Sequence, residues 1–165
     1  MDKRREFESI VREYSEPLYY QIRRIVLTHE DADDVLQNTF LKAWNAYDTF
    51  NRDSKLSTWL TRIAINESLD LLRRNKHMAS EAAEDLTVAK GLMADEYFDG
   101  NETEAMLQEA IAQLPEVQRT VFTLRYYDEM KYSDISKVLN TSEGALKASY
   151  HIAVNKITEF FKQRD

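Results

Sequence analysis

Three glycines and two prolines in 165 residues leave this chain few places to turn tightly. Hairpins draw on Gly and Pro at set positions, so a sheet of many short strands has little to be built from. Apolar residues recur instead at helical spacing. Arg4–Tyr14 reads as one helix. A second follows Pro17, with Leu18, Ile22, Ile25 and Val26 on one side. A third begins after Thr28, with Glu30, Asp31, Asp33 and Asp34 in its first turns, where acids suit the helix dipole. Its apolar stripe is Leu36, Phe40, Ala43, Trp44 and Tyr47, and both Trp44 and Trp59 are expected in the core. A polar loop leads to a fourth helix from about Ser57 to Asn75, with a stripe of Leu56, Leu60, Ile63, Ala64 and Leu71. Its other face carries Arg62, Asn66 and Arg73.

The second half repeats the helical pattern without repeating the sequence. Glu104–Gln113 reads as a helix, and Pro115 sits at the start of another that runs to about Tyr126. A short helix opens at Tyr132 or Ser133. Asn140 and Thr141 turn the chain, and Ser142 caps a last helix from Glu143 to about Lys162. Its predicted buried stripe is Leu146, Tyr150, Ala153, Val154 and Ile157. A short helix, a tight turn and a longer helix form a helix-turn-helix pattern.

Between the halves lies a stretch of different chemistry. Residues 78–104 hold one lysine against eight acids, which accounts for the whole net charge of −7. The flanking parts are each neutral, so the acidic total does not by itself exclude nucleic-acid binding. The expected organisation is all-α: a domain at 1–77, a flexible acidic linker at 78–103 with a short helical turn near Glu81–Val88, and a domain at 104–165.

Signs of catalysis are missing. None of His29, His77 and His151 has the Glu three residues earlier that a di-iron bundle uses, and His29-Glu30 is not followed by the second His of a zincin. The glycines are isolated, so no phosphate loop is present. The absence of cysteine removes disulfides and thiolate zinc sites. Asp31, Asp33 and Asp34 read as a solvated first turn rather than a metal site. The expectation is a protein that is not an enzyme, takes no cofactor, metal or small-molecule substrate, and does not insert in a membrane. The charged N-terminus and lack of an apolar run of roughly 20 residues point to the cytoplasm. Binding is the better-supported class, through the last helix and through a loop where Tyr47, Phe50, Trp59 and Arg62 bring aromatics near basic groups.

Two blocks carry a family resemblance. DADDVLQNTFLKAWNAYDTF followed by LSTWLTRIAINESLDLLRRNK resembles the core-binding and promoter-melting domain of sigma factors. LPEVQRTVFTLRYYDEMKYSDISKVLNTSEGALKASYHIAVNKI resembles their C-terminal helix-turn-helix domain. The order and spacing resemble an extracytoplasmic-function (ECF) sigma factor of the sigma-70 family. The resemblance implies promoter-specific initiation with core RNA polymerase, through contacts with the β′ clamp coiled coil and the β flap. It also implies promoter DNA as a ligand and an anti-sigma factor as regulator. The clamp-binding face would be Asp33, Asp34, Gln37, Asn38 and Leu41. The −10 element would be read, with capture of an unpaired base, by Asn51, Arg52, Ser54, Lys55, Ser57, Arg62, Asn66, Asp70 and Arg73. The −35 element would meet Ser142, Glu143, Gly144, Lys147, Ala148, Ser149 and His151.

The last helix departs from the family pattern Gly-Thr-Val-Lys-Ser-Arg-Leu-x-Arg-Ala. Ser149 and Ile152 stand where the pattern has arginines. Each lost phosphate contact weakens duplex binding and flattens its salt dependence. The departure keeps two other readings open: a polymerase-independent helix-turn-helix regulator, and a sigma-like interaction protein that does not bind DNA. The acidic linker would suit a channel built to hold polyanionic nucleic acid, and would repel DNA from the free protein.

Overall fold

The computed structural model describes residues 2–52, 55–78 and 100–164. Most of the predicted linker, with its short helical turn, and Ser54 lie outside the described residues. The chain divides into two compact units, Met1–Arg74 and Asn75–Asp165. Every regular element among the described residues is helical.

The first unit comprises α1 (Lys3–Val26), α2 (His29–Ala46), a 3₁₀ turn (Tyr47–Thr49) and all but the last four residues of α3 (Leu56–Met78). Sequence spacing predicts a break at Pro17, but α1 runs through it as one helix of 24 residues. Proline inside a helix removes a backbone N–H and costs about 3 kcal/mol. Packing overrides that cost here. Phe7 and Ile10 before Pro17 join Leu18, Ile22 and Ile25 after it in one buried core. Pro17 itself is exposed, so water can serve the carbonyl left without a donor.

Two residues join α1 to α2. Leu27 closes α1 in the left-handed region at φ 79°, its N–H donating to Arg23 O at 2.9 Å. Thr28 Oγ1 then accepts from Asp31 N at 3.2 Å and caps α2. The joint is braced by Tyr19 Oη, 2.7 Å from His29 Nδ1, and by Arg23 Nη1, which donates to Tyr19 Oη at 3.0 Å. Ala32 and Ala43 on α2 and Ala64 on α3 are fully buried, and such small residues let helix backbones approach closely. At the far end Phe7 meets Trp44 and Tyr47 edge-on, with ring centroids 5.3 and 5.7 Å away. Tyr47 Oη donates to Glu6 Oε1 at 2.8 Å.

Trp44, expected in the core, is 36% exposed. It lies at the margin of α2, with Phe7 against it and the Lys3 ammonium 4.2 Å from its ring centroid. Trp59 is half-buried rather than core. Val154, expected on the buried stripe of the last helix, is also 36% exposed.

The second unit comprises α4 (Glu102–Ala112), α5 (Glu116–Tyr126), α6 (Tyr132–Leu139) and α7 (Glu143–Lys162). Asn101 caps α4 by accepting from Glu104 N at 2.9 Å. Ala110, Ile111, Leu114, Phe122, Ala153, Ile157 and Phe160 form its core. The α4–α5 corner is held from inside. Buried Arg119 donates Nη1 to Leu114 O at 3.0 Å, and its desolvation lowers its pKa from the ordinary arginine value. Among the described residues no helix is long and apolar enough to cross a membrane, and no cluster of His, Asp or Glu could hold a metal ion.

Phe7→Ala should cost about 3–5 kcal/mol, the range for deleting a buried aromatic. Pro17→Ala should stabilise the protein by about 2 kcal/mol, the helix cost of proline less the chain entropy that proline removes from the unfolded state. Urea unfolding of the two variants beside wild type measures both, and an unchanged midpoint for either contradicts the packing described.

Candidate functional site

Three surfaces carry the residues singled out by sequence. On α2, Ala32, Val35, Thr39 and Ala43 are buried. Helical geometry therefore turns Asp33, Asp34, Gln37, Asn38 and Leu41 to the other side, and all five are exposed. Leu41 is 62% exposed, a large apolar side chain left in water amid polar neighbours. Gln37 Nε2 donates to Asp33 Oδ2 at 3.2 Å, so the two polar groups present a joined edge.

The second surface is the loop before α3 and the adjoining face of that helix. Asn51, Arg52, Lys55 and Ser57 are exposed, as are Arg62, Asn66 and Arg73 on α3. Arg62, Asn66 and Arg73 share one side at i, i+4 and i+11. Asp70 is half-buried and pairs with Arg73 Nη1 at 2.6 Å. Phe50 and Trp59 lie against each other with centroids 4.7 Å apart, tilted by 34°. The Arg52 guanidinium sits 5.3 Å from the Tyr47 ring and 5.6 Å from Phe50. The loop thus holds a half-covered aromatic group with a cation beside it.

One residue behind this face was not singled out from sequence. Glu67 on α3 is buried, and its carboxylate pairs with the Lys42 ammonium on α2. The hydrogen bond and charge of Glu67 raise the Lys42 pKa above the ordinary lysine value. Lys42 neighbours Leu41 and Glu67 neighbours Asn66, so the pair ties the first surface to the second. A buried carboxylate needs a partner, but nothing in the spacing of α2 and α3 shows which residues will face each other.

The third surface is the α6–α7 corner. Asn140 takes the left-handed conformation at φ 55°, its N–H bonded to Ser136 O. Ser136 Oγ donates to Thr141 O at 2.6 Å, and Ser142 Oγ accepts from Ala145 N at 3.2 Å. Ser142 is thus occupied as a cap. Glu143, Gly144, Lys147, Ala148 and His151 are exposed on α7, and Ser149 is half-buried. A Cβ added at Gly144 would meet nothing within 4 Å, and its φ is not positive. Neither the backbone nor the packing of this unit requires glycine there. Tyr132 on α6 lies between Arg125, 4.8 Å from its ring, and Lys147, 5.7 Å away. Burial, together with neighbouring Tyr132, raises the Tyr150 pKa.

A helix-turn-helix in one unit and a compact helical bundle with an exposed polar helix face in the other fit a sigma-70-type transcription factor. Family matches agree. Sigma-70 region 2 matches residues 10–78, and Sigma-70, region 4 matches residues 104–157. The ECF RNA polymerase sigma factor SigW of Bacillus subtilis is 33% identical over 155 residues, covering 88% of this chain and 83% of that one. The RNA polymerase sigma-H factor of Pseudomonas aeruginosa is also 33% identical over 155 residues, covering 88% and 80%. In fold, the chain is similar to CnrH in its complex with the cytosolic domain of CnrY, with TM-score 0.71, 25% identity and 98% and 91% coverage. It is likewise similar to the sigma factor RpoE in complex with the anti-sigma factor NepR from Bartonella quintana, with TM-score 0.75, 23% identity and 95% and 97% coverage. The chain belongs to the ECF sigma factors, the polymerase-binding, promoter-directing proteins of the sigma-70 family.

Lys42→Met strands the Glu67 carboxylate and should cost about 1–2 kcal/mol, less than for a fully buried pair because Lys42 is largely exposed. Lys42 has a raised pKa in the folded state, so its contribution is complete below the ordinary lysine value of 10.5 and is lost as pH climbs through the raised one. Unfolding curves of wild type and variant should converge at strongly alkaline pH, and a constant gap contradicts the pairing. Gly144→Ala should stabilise the protein by about 0.5–1 kcal/mol by the same measurement.

Proposed function

We propose that the two units divide the work of promoter selection. Residues 1–77 dock on core RNA polymerase and read the −10 element. Residues 104–165 read the −35 element, and residues 78–103 link them. The docking face is Asp33, Asp34, Gln37, Asn38 and Leu41, set against the β′ clamp coiled coil. The observation that carries this reading is that all five are exposed on one side of α2, opposite its buried stripe. The second unit is proposed to meet the β flap and duplex promoter DNA.

The loop before α3 is proposed to hold an unpaired −10 base. Extruding a base costs a few kcal/mol, and stacking on an aromatic returns about 1–3 kcal/mol. The half-buried Phe50–Trp59 pair with Arg52 nearby supports this role. Arg62, Asn66, Asp70 and Arg73 continue the surface along α3. The chain contributes no catalysis of its own, since the polymerase forms the phosphodiester bonds, and it works in the cytoplasm. An anti-sigma factor is the proposed regulator, in line with the complex in which RpoE was solved.

Run-off transcription with core polymerase and a library of promoter fragments tests the assignment. Discrete start sites should appear with the chain and vanish with the Asp34→Ala/Gln37→Ala double variant, whose affinity for core should fall about tenfold or more. Full activity of that variant would overturn the docking face. The chain alone should bind duplex promoter poorly at physiological salt, because net charge −7 opposes the approach of DNA. Tight binding in a gel shift without polymerase would instead favour a stand-alone regulator. Replacing Ser149 and Ile152 by arginine should steepen the salt dependence by about 0.9 for each phosphate newly contacted.

A further inference from the structure

Ile152 stands on the outward side of α7 with no assigned role. Leu146, Ala153, Ile157 and Phe160 are the buried side of this helix. The opposite strip is Gly144, Ala148, His151, Ile152 and Asn155, at i, i+4, i+7, i+8 and i+11, all exposed. Ile152 is 44% exposed and lies outside the core cluster of its unit.

The residues around it define what could lie against it. Gly144 and Ala148 are small, and the space before Gly144 is open. Asn155 Nδ2 lies 3.3 Å from His151 Nε2, so these two side chains brace each other beside Ile152. Exposed Lys147 and Lys156 lie towards opposite edges of the strip, and past Asn155 the exposed Glu159 carboxylate sits 3.9 Å from the Lys162 ammonium. This is an apolar projection between ammonium groups, on a helix with room at its N-terminal end for another molecule. On this side of α7 the exposed Lys147, Lys156 and Lys162 outnumber Glu143 and Glu159, a positive balance that fits a polyanion. A branched alkyl group offers nothing to a phosphate or to a hydrogen-bonding base edge. The major groove of DNA presents one apolar feature that it matches, the 5-methyl group of thymine.

We propose that Ile152 reads thymine in the upstream duplex element through its 5-methyl group. A base-specific apolar contact then stands where the family pattern has an arginine. The inference rests on the reading of the second unit as a duplex-binding domain.

The test uses holoenzyme assembled from core polymerase and the full chain. High-affinity upstream duplexes are selected from a randomised pool, and each dT is then replaced singly by dU, which removes only the methyl group. Wild type should lose about fourfold in affinity at one or two positions, the fold-change for one buried methyl. Ile152→Ala should bind dT and dU duplexes equally at those positions. Ile152 is exposed, so the variant should keep the wild-type melting temperature. Equal binding of dT and dU by wild type everywhere overturns the inference. So does a fourfold difference that persists in Ile152→Ala, an equal loss of that variant on all duplexes, or a selected element without thymine. Failure of the wild-type holoenzyme to prefer any duplex in the pool overturns the duplex-binding reading itself, and this inference with it.

Discussion

Ala32, Val35, Thr39 and Ala43 lie buried along one side of α2, and that burial decides what the other side can be. A helix offers its neighbours one stripe, and 100° per residue assigns every remaining side chain to a direction. Asp33, Asp34, Gln37, Asn38 and Leu41 face water for that reason. The same rule works on α7, where Leu146, Ala153, Ile157 and Phe160 turn Gly144, Ala148, His151 and Ile152 outward. The candidate surfaces on α2 and α7 are therefore by-products of core packing. A substitution that rotated α2 or α7 would move a whole surface.

Helix ends and turns were legible in the sequence because their causes are local. Thr28 and Ser142 cap α2 and α7 through one side-chain oxygen each. Asn140 takes the left-handed conformation that asparagine tolerates better than most residues. Pro17 was misread because the break it favours is local, while the packing that overrides it comes from residues on both sides meeting other helices. Trp44 was misread because a stripe assigned by spacing has no sharp margin, and a large ring there can be half covered by Phe7 and Lys3. Glu67 and Arg119 were missed for a related reason. Each is a charge held by groups, Lys42 for Glu67 and Leu114 O among those of Arg119, that only the folded arrangement supplies.

The candidate surfaces were legible to different depths. The α2 face comes from the family resemblance; spacing alone puts Leu36 and Phe40 on the buried stripe, whereas the structure leaves them half-buried and buries Ala32, Val35 and Thr39 beside Ala43. The loop before α3 required the structure to bring Phe50, Trp59 and Arg52 together. On α7 the family pattern marks two arginines as missing, and the structure adds that Ile152 is exposed and that the space before Gly144 is open. Departure from a pattern thus becomes a statement about which groups a DNA groove would meet.

The central claim is that this chain makes core polymerase open promoter DNA. Permanganate footprinting, which detects unpaired thymines, addresses it directly on a promoter that supports transcription. Reactive thymines should appear in one short segment upstream of the start site only when both the chain and core polymerase are present. A holoenzyme that assembles and binds that promoter yet exposes no thymine, or the same footprint from polymerase alone, would contradict the account.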